Sequence, residues 1–262
     1  MLGKLMKYEF RATGRVFLPL FAALIIISVV NRLLMNLGLR TPSAISTTLT
    51  VILIVGIGVI AFVLTMQRFR NNLLSSEGYL MMTLPTKVEN LILSKLFVST
   101  IWFIVSSIVV AAAILTMALT DISFSFLGDA VRYVIENLDI TTGQFVIYAI
   151  EAFIMAIIGL FSGILMIYTC MSLSMLVNKR RGLFSFGAFI VISTVLQTIT
   201  SVIFSIGITT NLFDAIGRTF RNISGFGKSQ VVILFMFLLE AILCAVYFII
   251  SRQMLKNRLN LQ

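Results

Sequence analysis

Six long blocks of apolar residues alternate with short polar segments, and this pattern predicts six membrane-spanning helices. About 20 helical residues, at 1.5 Å each, cross a hydrocarbon core of about 30 Å. Every block reaches that length, and helices are favoured because lipid offers no hydrogen-bond partner to backbone groups. We therefore expect an all-α integral membrane protein with one six-helix domain, residues 1–262. The blocks are Val16–Leu34, Ile45–Met66, Leu91–Leu119, Gln144–Tyr168, Leu183–Ile208 and Gln230–Ile250.

Composition supports the membrane assignment and narrows the chemistry. Charged residues make up 11% of the chain and hydrophobic residues 59%, whereas soluble domains carry about 25% charged residues. The chain has no histidine, which excludes Ser-His-Asp and Cys-His catalysis and histidine-based metal sites. The sequence therefore predicts no catalytic residue, no metal site and no cofactor within this chain.

The distribution of Lys and Arg predicts which side each connecting segment occupies. Six of the 20 basic residues fall on one side: Arg32, Arg40, Arg132, Arg218, Arg221 and Lys228. The other fourteen are Lys4, Lys7, Arg11, Arg15, Arg68, Arg70, Lys87, Lys95, Lys179, Arg180, Arg181, Arg252, Lys256 and Arg258. Basic residues concentrate in cytoplasmic loops, so both termini are predicted to be cytoplasmic. Residues 120–143 and 209–229 become outer loops, each with the spacing of a short amphipathic helix. The net charge of +10 is then a topology signal, and no nucleic-acid partner is indicated.

Residues 1–15 have the pattern of an amphipathic helix at the membrane interface. Lys4, Lys7, Arg11 and Arg15 share one face, where they would meet anionic headgroups of the lipid bilayer. Leu2, Leu5, Met6 and Phe10 lie on the other face. Glu9 falls among these apolar residues, which leaves two alternatives. It either pairs with a basic residue of a neighbouring segment or extends to reach water.

The segment after the second block, residues 67–90, is predicted to be a cytoplasmic loop with a short helix across the membrane face. It combines mixed charge with an apolar and aromatic run that ends at Pro85. Proline disfavours helical geometry at the residue before it, so a turn into the third block should follow. The alternative is a plain interfacial connector.

Two stretches of sequence resemble a known family. Glu77-Gly78-Tyr79-Leu80-Met81-Met82-Thr83-Leu84-Pro85, followed by Leu91-Ile92-Leu93-Ser94-Lys95-Leu96, is similar to the motif of bacterial ATP-binding-cassette exporter permeases. The class is the type-two one, common in Gram-positive bacteria, which includes bacitracin- and lantibiotic-type exporters. The opening Lys4-Leu5-Met6-Lys7-Tyr8-Glu9-Phe10 also resembles the start of those permeases.

The resemblance implies a division of labour between subunits. ATP and Mg would bind a separate cytoplasmic ATPase, and the complex would contain a second permease copy or a paralogue. The loop after the second span would carry the coupling helix, with Glu77, Gly78, Tyr79, Leu80 and Pro85 docking on the ATPase. The resemblance also implies a multi-pass protein of a bacterial plasma membrane.

This chain carries a near match to a nucleotide-binding motif, which we interpret as coincidental. Asn222–Ser229 approaches G-x-x-x-x-G-K-[ST], but Asn222 replaces the first glycine. A phosphate-binding loop follows a strand and opens a helix in an α/β domain, whereas this segment lies in a predicted outer loop. We therefore expect no ATP site, and no enzyme activity, in this subunit.

Three polar residues inside the predicted spans are candidate functional groups. Glu151 lies in the fourth span, Glu240 near the middle of the sixth, and Gln197 within a hydroxyl-rich face of the fifth. Charges at such depths are costly and usually face a partner or a water-filled cavity. They indicate either a substrate path or proton-sensitive site, or hydrogen bonding between helices.

These observations favour a permease subunit that moves a hydrophobic or peptide-like substrate with energy from a partner ATPase. Two alternatives belong to other classes. One is a membrane protein that assembles or regulates another complex without transport. The other is an ion-driven secondary transporter that uses Glu151 and Glu240.

The charge asymmetry predicts that Arg70 and Arg180 are cytoplasmic and that Asp129 and Lys228 are outside. Single cysteines at these positions, in a chain whose Cys170 and Cys244 are replaced, should react accordingly with a membrane-impermeant reagent. In sealed cells, only positions 129 and 228 should be labelled. Strong labelling at position 180 would overturn the topology.

Overall fold

The computed structural model describes residues 2–73, 87–118, 125–138, 140–177, 180–209 and 225–259, and these residues are almost entirely helical. The helices are α1 (Leu2–Asn36), α2 (Arg40–Leu73), α3 (Val88–Ala118), α4 (Ser125–Leu138), α5 (Thr142–Leu173), α6 (Arg181–Thr209) and α7 (Gly225–Leu259). A 3-10 turn, Ser174–Leu176, extends α5. Within the described ranges, every helix except α4 is long and apolar enough to cross a membrane. The predicted all-α membrane fold with six spanning helices is therefore confirmed.

The helix ends follow from local sequence signals. Gly38, at φ 71°, supplies the left-handed residue that lets α1 turn back into α2 within three residues. The start of α5 is a capping box, in which the Thr141 hydroxyl accepts a hydrogen bond from the Gln144 backbone N–H. The Gln144 side chain in turn accepts one from the Thr141 N–H. At these two boundaries, the sequence thus provides the residues that the helix ends require.

The N-terminal segment differs from the sequence prediction. Residues 2–15 are the first four turns of α1, which continues through Pro19 to Asn36 as one helix rather than starting as a separate interfacial helix. Met6 and Phe10, both partly buried, pack against the hydrophobic core. The four basic side chains are exposed, as the amphipathic pattern predicts: Lys4, Lys7, Arg11 and Arg15. Part of the apolar face is therefore used for packing on protein.

Residues 1–139 form one compact unit, in which α1 packs on both α2 and α3. At one end, Asn31 donates a hydrogen bond from its Nδ2 to Thr47 Oγ1 at 2.8 Å, and Arg32 donates one to the Thr116 carbonyl at 3.4 Å. At the other end, Glu9 of α1 contacts both Arg68 and Lys95. These pairings show that α1 and α3 run parallel, with α2 antiparallel to both.

Residues 140–262 form the second unit, in which α5 packs on α6 and α7. Tyr148, near the start of α5, shares a hydrogen bond with Ser229, near the start of α7. Thr169, near the end of α5, bonds the Tyr247 carbonyl and the Ser251 hydroxyl, both at 3.0 Å. Since residue numbers rise together, α5 and α7 are parallel.

In the first of the two predicted outer loops, the described residues form the short helix that the sequence predicts. Residues 125–138 form the helix α4, with an exposed apolar surface that includes Tyr133 and Leu138. In the second predicted outer loop, Gly225–Ser229 are the first turn of α7. The amphipathic helix expected before them falls on residues outside the described ranges.

Candidate functional site

One face of α1 buries polar and apolar side chains in succession. Glu9, Thr13 and Gly14 are buried, and Phe17, Phe21 and Leu24 continue the same helical face. Such spacing, three or four residues apart, is that of a helix packed on neighbours. The polar end of this face meets α2 and α3 at the charged cluster Glu9, Arg68 and Lys95.

The Glu9 carboxylate contacts two cations. Lys95 Nζ donates a hydrogen bond to Oε1, and Arg68 Nη1 lies 3.9 Å from Oε2. The side chains of Lys95 and Glu9 are 3% and 11% exposed, and that of Arg68 is 31% exposed. Of the two alternatives for Glu9, pairing with basic residues of neighbouring segments is confirmed.

A stack of aromatic rings closes the inner side of the charged cluster. Trp102 of α3 stacks on Phe17 of α1 with ring centroids 4.6 Å apart and an interplanar angle of 11°. It also passes close to Gly14, where an added Cβ would lie 3.5 Å from the indole. This layer separates the ion pairs from the purely apolar core around Leu24.

A small cavity lies between the charged cluster and this aromatic layer. Its volume is about 20 Å³, and its walls include Glu9, Arg68, Lys95 and Trp102. Trp102 Nε1 is buried, and it has no hydrogen-bond partner among the described residues. A space of this size holds one water molecule, so the cavity suits a single water beside the charged groups and Trp102.

Neither Arg68 nor Lys95 was predicted from the sequence as a partner of Glu9. Both were assigned to the cytoplasmic side by the topology rule alone. The available signal was Lys95 itself, because it lies four residues inside an apolar block, where a charge needs a partner. A carboxylate on an apolar helix face and a lysine inside a span each need an opposite charge, and in the structure these two side chains pair.

In the second unit, Glu151 and Gln230 connect α5 and α7. Gln230 Nε2 donates a hydrogen bond to Glu151 Oε2 at 3.1 Å, one turn from the Tyr148–Ser229 pair. Glu151 is thus used in hydrogen bonding between helices. Glu240 is half-buried on α7, and among the described residues it has no hydrogen-bond or ion-pair partner.

The hydroxyl-rich face of α6 forms its hydrogen bonds within its own helix. Ser193 donates to the Ile190 carbonyl, Thr198 to that of Thr194, and Ser201 to that of Thr198. These bonds satisfy the hydroxyls without a neighbouring helix. Gln197, on the same face, is exposed. The structure therefore does not bring Gln197, Glu151 and Glu240 together through hydrogen bonds of the described residues.

The predicted coupling residues Glu77, Gly78, Tyr79, Leu80 and Pro85 lie outside the described ranges. The helix ends on either side of them are described and buried. Phe69 and Leu73 end α2, and Leu91 and Ile92 are near the start of α3, each no more than 2% exposed. Lys95 lies one turn further along α3 and connects this region to α1.

Comparison with known proteins adds no family assignment, because no protein-family model, curated protein or solved structure matches this chain. The class that the fold defines is thus an all-α membrane protein with six candidate spanning helices. Within the described residues, no three Cys, Asp or Glu side chains are grouped so as to hold a metal ion.

Loss of one partner of the buried pair Glu9–Lys95 should strongly destabilise the first unit. Glu9→Gln leaves the Lys95 ammonium buried without its countercharge, which typically costs about 3–5 kcal/mol. The free energy of unfolding, measured by titration with a denaturing detergent, should fall by this amount. Glu136→Gln, which neutralises an exposed carboxylate on α4, should change it by less than about 0.5 kcal/mol.

The double variant Glu9→Gln/Lys95→Met tests whether the two side chains stabilise the unit through their interaction or independently of each other. Because it removes both charges, it should be more stable than Glu9→Gln alone. If the double variant instead loses the sum of the two single losses, the two groups do not interact.

Proposed function

We propose that this membrane protein is the permease subunit of a bacterial ATP-binding-cassette exporter. A separate cytoplasmic ATPase subunit would bind ATP and Mg and hydrolyse the nucleotide. This chain, with a second copy or a paralogue in the plasma membrane, would provide the path for a hydrophobic or peptide-like substrate.

One contact carries the proposal. The resemblance to exporter permeases lies in two stretches far apart in sequence, the opening segment and the segment that runs from Glu77 to Leu96. Glu9 belongs to the first stretch and Lys95 to the second, and their side chains form a buried ion pair. Two separately similar segments that meet in space are expected if both serve one mechanism.

The surroundings of the coupling segment suit the transmission of force. The segment leaves α2 after the buried Leu73 and joins α3 just before the buried Leu91. Close-packed side chains move together rather than deform, so displacement of the segment by a partner would shift both helix ends. The ion pairs from Glu9 to Arg68 and Lys95 would carry that movement to α1.

Docking should depend on the apolar residues of the coupling segment. Tyr79 and Leu80 are its anchors, because buried aromatic side chains dominate interface energies. Gly78 permits close backbone approach, and Glu77 adds a charged contact. Tyr79→Ala should weaken binding of the ATPase by about 2 kcal/mol, or about thirtyfold in affinity. Copurification of the complex and its ATPase rate measure this effect.

Tyr133→Ala is the matched control for the docking experiment. Tyr133 is an exposed tyrosine on α4, on the predicted outer side, so its removal should leave complex yield and ATPase rate unchanged. Unchanged assembly and coupling in both Tyr79→Ala and Glu77→Ala would remove the main support for the exporter. A non-transporting assembly or regulatory protein would then be favoured.

The ion-driven alternative predicts a different set of sensitive residues. For an exporter driven by ATP, Glu151→Gln should retain ATPase coupling, because an amide can replace the carboxylate as acceptor for Gln230. Glu240→Gln should retain it as well. The measurement is ATPase rate and substrate movement in proteoliposomes, with and without a protonophore. Transport that stops with the protonophore, or with either substitution, would favour the secondary transporter.

A further inference from the structure

A wide groove opens between the end of α5 and the first three turns of α6. It encloses about 640 Å³, and among the residues that the structure describes Arg180 is the only charged side chain that lines it. Leu183 and Val191, at 67% and 60% exposed, leave it open along its side. The apolar walls are formed mainly by Leu173, Val177, Leu183, Phe184, Val191 and Ile192.

The length of the groove matches one leaflet of a bilayer. From Leu183 to Ile192 the helix rises about 13 Å, which is nearly half of a hydrocarbon core of about 30 Å. No side chain of α6 with described burial is buried, so the groove faces outward from the second unit along a predicted span. An extended hydrocarbon chain fits such a space.

The mouth of the groove is positively charged. Arg180 is exposed and has no ion-pair partner among the described residues. It adopts a left-handed backbone, φ 58°, and its carbonyl accepts a hydrogen bond from the Phe184 N–H at 3.2 Å. It therefore stands at the N-terminal end of α6, where the helix dipole adds positive potential. In the sequence, Lys179 and Arg181 flank it.

We propose that this groove binds an anionic phospholipid of the cytoplasmic leaflet, with acyl chain along α6 and phosphate at Arg180. An apolar channel with the Arg180 cation at one end is complementary to an amphiphile with an anionic head. The mouth also lies on the side predicted to be cytoplasmic, where anionic lipids attract basic residues. The proposal depends on the membrane topology and not on the transport function.

The test uses full-length protein in nanodiscs of phosphatidylcholine with a minority of phosphatidylglycerol. Native mass spectrometry after release from the nanodisc reports the lipids that stay bound. The wild type should retain phosphatidylglycerol in preference to phosphatidylcholine. Arg180→Gln should lower its apparent affinity about fivefold, and Arg180→Lys should retain it. Arg70→Gln removes an exposed cation from the end of α2 and should have no effect.

Filling the groove gives a second, independent variant. Gly187 lines the groove, and a Cβ added there would meet nothing within 4 Å. Gly187→Leu should therefore fold, with improved helix propensity, yet displace the chain and abolish selective retention. Gly56→Leu, at an equally open glycine of α2, is the matched control. Glycerophosphate, which lacks chains, should not compete.

Three results would overturn the proposal. They are equal retention of phosphatidylcholine and phosphatidylglycerol by the wild type, unchanged retention in Gly187→Leu, and displacement of the lipid by glycerophosphate. If Gly187→Leu instead dissociates a dimer without altering bound lipid, a second copy of the chain occupies the groove. If Arg180→Gln does not fold, the comparison of Gly187→Leu with Gly56→Leu decides alone.

Discussion

A carboxylate inside an apolar helix bundle needs a countercharge, and this constraint organises the first unit. Glu9 lies on the buried face of α1, so a cation has to approach it from a neighbouring helix. Lys95 of α3 and Arg68 of α2 both do so. A charge cluster with partners on three helices permits little sliding of one helix along another, because displacement by one turn would leave a buried charge unpaired. The aromatic layer at Trp102 then packs in register above it.

The second unit is held together by different interactions, and this difference explains which of its surfaces are exposed. Among the described residues, its polar links between α5 and α7 are hydrogen bonds, such as the one that Gln230 donates to Glu151 and the one that Thr169 and Ser251 share. Hydrogen bonds of this kind contribute about 0.6 kcal/mol each between membrane helices, much less than the loss caused by breaking a buried ion pair. No α6 side chain with described burial is buried, which leaves the groove beside Arg180 open.

The two proposals place function at the predicted cytoplasmic ends of helices. In the first unit, the chain between Leu73 and Val88 would receive a partner, and the helices on either side of it carry Arg68 and Lys95 of the Glu9 cluster. In the second, Arg180 and the apolar groove would receive a lipid. Each proposed site combines a charged group, which positions the partner or lipid, with an apolar surface, which provides binding affinity. The predicted outer ends of the first unit are joined by the hydrogen bonds Asn31–Thr47 and Arg32–Thr116.

The sequence by itself determined the all-α membrane class and the number of spanning helices, because apolar length is a local property that each block carries alone. It also determined that Lys4, Lys7, Arg11 and Arg15 share an exposed face, since helical periodicity is local too. Tertiary structure decided what lies opposite that face. Met6 and Phe10 pack on the core that α1 forms with α2 and α3, and this core is as apolar as lipid, so composition alone does not predict the contact. The sequence likewise left open whether Glu9 pairs with a cation or reaches water, and only packing decided it. Lys95 is 86 residues away in the chain, and ion pairing depends on distance in space.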